Sequence, residues 1–137
     1  VPLPDAEVVA VQWAKAQAPI SAIVGTRVAT RLPKGPAMPF LTVFRVSGGI
    51  DRGEALIDLP LLQWDCFAAT GEYSPDYATA YQLASTVVEE AHTFQGGVPG
   101  EGFILGFQIV NGPRRFEEPD TGWARYIVET LMMVKEE

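Results

Sequence analysis

Leu59-Pro60-Leu61-Leu62-Gln63-Trp64-Asp65-Cys66-Phe67-Ala68-Ala69 places Leu62, Trp64, Cys66 and Ala68 at alternate positions against Leu61, Gln63, Asp65 and Phe67. A period of two sends these sets to opposite sides of a pleated strand, so the stretch reads as a strand with an apolar inner side and a more polar outer one. Upstream, Pro39 opens Phe40-Leu41-Thr42-Val43-Phe44-Arg45-Val46, rich in the aromatic and β-branched residues that suit a strand. Its even and odd positions separate imperfectly, as expected of a strand covered on one face and touched on the other by apolar groups. Downstream, Phe103 to Val110 reads as a strand closed by Asn111-Gly112-Pro113. Trp123 to Val134 reads as the last strand, with Tyr126, Val128, Met132 and Val134 on one side. A further strand over Thr26 to Leu32 is expected to break at Pro33-Lys34-Gly35-Pro36.

Helical spacing flanks these strands. Val8, Val9, Val11, Ala14 and Ala18 recur with an apolar helical period behind Asp5, which predicts a capped helix over 6–18. Pro19 to Val24 before Gly25 reads as a short second helix. Ser74-Pro75-Asp76 predicts a cap, a proline in the first helical position and an acid in the first turn, followed by a long helix whose apolar face carries Tyr77, Tyr81, Ala84, Val87, Val88 and Ala91. After His92, four glycines and a proline between Gly96 and Gly102 make continued helix costly, and a loop is expected. With so few connections long enough for crossovers, the pattern predicts one α+β domain over residues 1–137. Its sheet should be mainly antiparallel, with the N-terminal helix and the long helix on one face.

Composition narrows function. Of 137 residues, 47% are hydrophobic and 20% charged, a globular balance, and at this length folding hides roughly two-thirds of the surface of the open chain. The net charge of -7 disfavours non-specific nucleic-acid binding, which needs a basic footprint. One cysteine and one histidine supply neither an internal disulfide nor a Cys/His metal set, so no metal or cofactor is expected. The N-terminus lacks the basic-then-apolar order of a secretion signal and no long apolar run occurs, which predicts a soluble, non-exported protein with no membrane partner.

The residues that carry chemistry elsewhere have plain readings here. His92, beside Glu89 and Glu90, suits the negative end of its helix, and Cys66 falls on the apolar side of its strand as a packing thiol. The carboxylate pairs Glu89/Glu90, Glu117/Glu118 and Glu136/Glu137 are adjacent in sequence, so their side chains point apart rather than into one cleft. The glycines near 96–102 lack the lysine of a phosphate-binding loop. No enzyme activity is expected.

Two segments read as assembly loops. Residues 47–58 combine three glycines and alternating charges with Ile50, Leu56 and Ile57, as a mobile loop or the tip of a long hairpin. Those apolar residues are open to local packing or to burial against a partner. Residues 111–122 place Arg114 and Arg115 against Glu117, Glu118 and Asp120 on a charged connection between the last two strands, suited to self-neutralising surface pairs or to electrostatic registration against another protein.

Several phrases, in order, resemble a family. Val28-Ala29-Thr30-Arg31-Leu32-Pro33-Lys34-Gly35, Pro39 to Arg45, Leu59 to Phe67, Gly112-Pro113-Arg114-Arg115 and Pro119-Asp120-Thr121-Gly122-Trp123-Ala124-Arg125-Tyr126 are similar to stretches of the small tail terminator, or tail-completion, proteins of long-tailed bacteriophages, most strongly those of actinobacterial phages. The resemblance spans nearly the whole chain. It implies a structural virion protein at the head–tail junction, present in the host cytoplasm during assembly. Such a protein forms a ring, usually hexameric, that caps the head-proximal end of the tail tube, stops its polymerisation and docks the head-completion or connector proteins. Genomic DNA passes through the lumen without sequence-specific binding. A head-completion protein or a tail tube subunit is the alternative within the same neck and tail assembly.

Overall fold

The computed structural model describes residues 3–51 and 56–137, with backbone alone at Asp51. Helix α1 (Ala6–Ala16) begins where the Asp5 carboxylate accepts from the N–H groups of Glu7 and Val8 at 3.1 and 3.4 Å. It stops short of the expected residue 18 because Pro19 has no N–H to give to the carbonyl four residues back. Gln17, extended in backbone, closes α1 and opens α2 (Ala18–Val24), whose exit is Gly25 at a φ of +61°.

Among the described residues seven strands follow: β1 (Val28–Ala29), β2 (Phe40–Asp51), β3 (Ile57–Gly71), β4 (Ser74–Pro75), β5 (Gly96–Val98), β6 (Gly102–Phe116) and β7 (Ala124–Lys135), with α3 (Tyr77–His92) between β4 and β5. They form one sheet in the order β1-β2-β3-β7-β6-β5, with β4 paired to β3 off this path. Every pairing is antiparallel except the short one between β1 and β2. The chain is therefore α+β, with α1 laid on β1, β2 and β5 and α3 on β3, β6 and β7.

Strand runs further than expected in several places. Of the two readings of 47–58, mobile loop or tip of a long hairpin, the hairpin is the one found: β2 runs to Asp51 and β3 starts at Ile57, while residues 52–55 lie outside the described residues. One of its glycines serves the close approach of two backbones. Gly48, at a φ of +116°, would bring an added Cβ to 2.2 Å from the Leu59 carbonyl oxygen, and it follows a bulge in which Val46 is the extra residue between the pairs Arg45↔Leu62 and Ser47↔Leu61. The glycine-rich stretch after α3 likewise forms a tight hairpin, β5 to β6, turning at Gly100 with a φ of +79°.

The expected connection at 111–122 also shrinks. β6 continues through Arg114, Arg115 and Phe116, which lie opposite Ile127, Tyr126 and Arg125. Pro113 is accommodated because β6 is an edge strand at this level and its register slips between Asn111 and Arg114. In the other direction, the strand expected over 26–32 shrinks to Val28–Ala29. The α3 cap also falls later than expected: Asp76 accepts from the Thr79 N–H at 3.1 Å, while Ser74 and Pro75 pair with β3.

The core lies between the helices and the facing side of the sheet. Trp13 of α1 and Trp64 of β3 are fully buried and meet edge to face with centroids 5.6 Å apart, and Phe94 and Phe107 pack around Trp13. Trp64 Nε1 donates to Thr130 Oγ1 at 2.9 Å, which accounts for a threonine buried among apolar neighbours. The alternation expected of Leu62, Trp64, Cys66 and Ala68 holds, and all four are buried.

Candidate assembly surfaces

The side of the sheet facing away from the helices has its own buried set. Phe40, Thr42, Asp65, Phe67 and Ile127 are buried there, although the alternation marks them as outer residues. Arg125 of β7 organises this side. Its guanidinium pairs with Asp65 Oδ2 at 3.0 Å and Glu118 Oε1 at 2.5 Å, lies 5.4 Å from the centre of the Phe67 ring and 4.5 Å from that of Phe116, and Phe67 meets Trp123 edge to face at 6.1 Å. Gln63 donates to the other Asp65 oxygen at 2.9 Å. Arg125 Nε has no partner among the described residues. The network ties the connection after β6 to the middle of the sheet through Glu118. Sequence reasoning passed over it, although a lone acid and a lone arginine on the outer registers of two strands were its legible signal.

A second polar group sits where α1 meets the β2–β3 hairpin. Arg45 donates to both Asp58 oxygens at 2.6 and 2.8 Å, and its own N–H donates to Glu7 Oε2 at 2.9 Å. The Asp58 side chain is 4% exposed. Arg45 and Asp58 share the α1 side because Arg45 is opposite Leu62 and Asp58 lies four residues before Leu62 in the unbroken alternation of β3.

The residues singled out in the sequence divide between two ends of the molecule. Ile50, 49% exposed, and Leu56, 52% exposed, stand at the hairpin end, with Val46 exposed nearby. Ile57 is half-buried as the first residue of β3, opposite Asp51. Arg114, Arg115, Glu117, Glu118 and Asp120 lie at the opposite end. The structure breaks up the single charged cluster expected there. Arg115 faces the helices, lies 3.8 Å over the Tyr77 ring and pairs with Glu117 at 3.2 Å, whereas Arg114, one residue earlier in the strand, faces the other side. The neighbouring Tyr77, and then the charge of Glu117, hold the Arg115 guanidinium above its ordinary pKa. Glu118 is taken by Arg125. Arg114 and Asp120 have no ion-pair partner among the described residues.

The two candidate nucleophile and base positions are far from reactive geometry. Cys66 is fully buried, and burial, with the charge of Asp65 adding to it, pushes its thiol well above the ordinary value. His92 is exposed and its Nδ1 donates to the Glu89 carbonyl oxygen at 2.9 Å. An open cleft of about 420 Å³ borders Pro36, Met38, Gly71, Glu72 and Trp123, and a smaller one of about 230 Å³ lies over Trp13, Phe94, Val98 and Pro99. Neither contains His92 or Cys66. Among the described residues no helix is long and apolar enough to cross a membrane.

Comparison with known proteins finds a likeness among solved structures. No family model matches the chain, and no curated protein matches it. Among solved structures, a chain from the virion of a native gene transfer agent (GTA) particle superposes with a TM-score of 0.65 at 16% sequence identity, the match covering 95% of this chain and 96% of that one. At that identity the likeness is one of fold, and it runs from end to end: this α+β arrangement, helices and sheet together, is also the fold of a chain in a virus-like particle.

Proposed function

We propose that this chain is a structural subunit of a phage-type virion and, within it, the tail terminator. It closes a ring, most simply of six copies, on the head-proximal end of the tail tube, stops the tube from growing and offers the surface to which head-completion or connector proteins dock. The observation that carries the reading is the likeness of fold to a chain of a gene transfer agent virion, which covers 95% of this chain and 96% of that one. The ordered phrases shared with tail terminators narrow it from virion subunit to terminator. In this reading the chain performs no catalysis, and the exposed apolar residues at the hairpin end together with the arginines at the other end meet neighbouring subunits and partners.

The net charge of -7 suits a ring through which DNA passes, because an acidic wall does not hold a polyanion. A closed ring also explains how a subunit stops polymerisation: once the last interface forms, no identical site is left to extend. The test is a deletion of the gene followed by electron microscopy of the particles. A terminator leaves overlong tails detached from heads. Tails of normal length that fail to join would mark a head-completion protein instead, and an absence of tubes would mark a tube subunit.

A further inference from the structure

The two long edges of the sheet are closed at one level and open at another. On the β2 side, β1 pairs with Leu41 and Thr42 and the Glu7 carboxylate takes the outward N–H of Arg45, so the edge is occupied up to residue 45. From Val46 to Asp51, β2 has β3 on one side and no strand on the other among the described residues. On the far side, β5 covers β6 only at Gly102, Phe103 and Ile104, and β6 from Leu105 onward has β7 alone. Its later part carries features that keep strand edges from pairing, namely Pro113, a register irregularity between Asn111 and Arg114 and the charges of Arg114 and Arg115. The stretch Leu105–Val110 has no proline and no charge, and its regular run, Gly106–Ile109, lies between bulges at Leu105 and Val110.

The open stretches lie level with each other. Ser47 is opposite Leu61, Leu61 opposite Leu131 and Leu131 opposite Gln108, one row across the sheet. Three successive antiparallel pairings make β2 and β6 run in opposite directions, so two copies set side by side in the same orientation bring these edges together as an antiparallel pair. An open edge is a row of unpaired N–H and C=O groups for which another such row is the natural complement. Exposed Val46, Ile50 and Val110 border the seam.

We propose that Val46–Asp51 of one copy pairs with Leu105–Val110 of a second copy, so that the sheet continues from subunit to subunit. The inference rests on the ring reading and deepens it, since it names the surface that each subunit offers and the one that it accepts. The contact is head to tail: each copy uses β2 toward one neighbour and β6 toward the other, which leads to a ring if the rotation closes.

Paired cysteines test it in the full-length chain. In an antiparallel pair, opposed Cα atoms lie about 4.5–5.5 Å apart, within the span of a disulfide. Ser47→Cys and Gln108→Cys are both at exposed positions, and native Cys66 is buried. Oxidation of the double variant at its highest soluble concentration should give a ladder of disulfide-linked multimers on non-reducing gels, while neither single variant forms one. Dimers from Ser47→Cys alone would show β2 pairing with itself and overturn the proposal. Multimers seen by native mass spectrometry that do not cross-link would overturn edge pairing while leaving the ring reading intact. A chain that stays monomeric and gives no ladder would also overturn it, and the ring reading would then be judged separately by native mass spectrometry of virion-derived material.

Discussion

Arg45 and Asp58 face each other across the β2–β3 hairpin in a two-pronged pair, at 2.6 and 2.8 Å, with the carboxylate almost wholly out of water. Asp58→Ala removes the acceptor from a guanidinium that remains about one-third exposed, so the loss is smaller than for a fully buried pair. We expect unfolding in urea to show a loss of about 1–2 kcal/mol. Equal stability of the variant and the parent would show that water replaces the carboxylate without cost.

The Arg125 network should respond unequally to its members. Arg125→Met leaves the buried Asp65 carboxylate without its cation and should cost about 3 kcal/mol, whereas Glu118→Gln removes one arm of a pair near the surface and should cost under about 1 kcal/mol. Chemical denaturation of the two variants checks the order. A larger effect at Glu118 would place the strength of the network in the connection rather than in the sheet.

Cys66 makes the fold sensitive to alkali. Its folded-state pKa is raised by burial, so the neutral thiol that the fold requires contributes its full stability below the unfolded pKa, about 8.5, and loses it as pH rises from there towards the folded value. Stability should therefore decline above that pH in the parent and less in Cys66→Ala, once the overall loss from the cavity is subtracted. Thiol labelling of the folded parent should proceed only as fast as the protein opens.

Asp76 has the opposite sign. Hydrogen bonds from the Thr79 hydroxyl and then the Thr79 backbone hold its carboxyl below the ordinary value, so the cap stabilises above the unfolded pKa and weakens as pH falls through the folded one. Asp76→Ala should cost about 1 kcal/mol near neutral pH. The difference between variant and parent should shrink in acid, as followed by thermal melts across pH.

Splitting the arginine pair by face makes the docking idea sharper. Arg114→Glu changes a charge with no ion-pair partner among the described residues, while Arg115→Glu also breaks the contacts with Tyr77 and Glu117. If the face that carries Arg114 meets a partner, Arg114→Glu should impair joining of heads to tails with melting unchanged. Mixing tails and heads in vitro and counting joined particles by electron microscopy checks this, and tail length in the same images separates contact with the tube from contact with the head side.

The elements legible in the sequence were those with a clean period. The alternation around Trp64 and the helical spacing through Val87 and Ala91 each reported one buried side, and both led to the observed elements. What escaped was strand length. Gly48, Gly49, Gly112 and Pro113 read as loop residues because local chemistry disfavours them in strands, yet a bulge and an unpaired edge give each a place that only the partner strand reveals. The polar residues followed the same rule. Arg115 and Glu117 were legible as neighbours in sequence, whereas Asp65 with Arg125 and Glu7 with Arg45 join residues far apart in the chain, and no spacing announces them.

The extra residue at Val46 also bears on how the hairpin can vary in length. Before it the odd-numbered residues of β2 point towards the helices, and after it the even-numbered ones do, which is why Ile50 shares a side with Asp58. Deleting Val46 would make Arg45↔Leu62 and Ser47↔Leu61 neighbouring pairs of a regular ladder, so every later β2 side chain would keep its side, whereas deleting a residue from the regular part of the strand would slip the register and turn side chains over. Related chains can therefore lack this one residue and still keep Ile50 opposite Asp58, a freedom that residues within the regular ladder do not have.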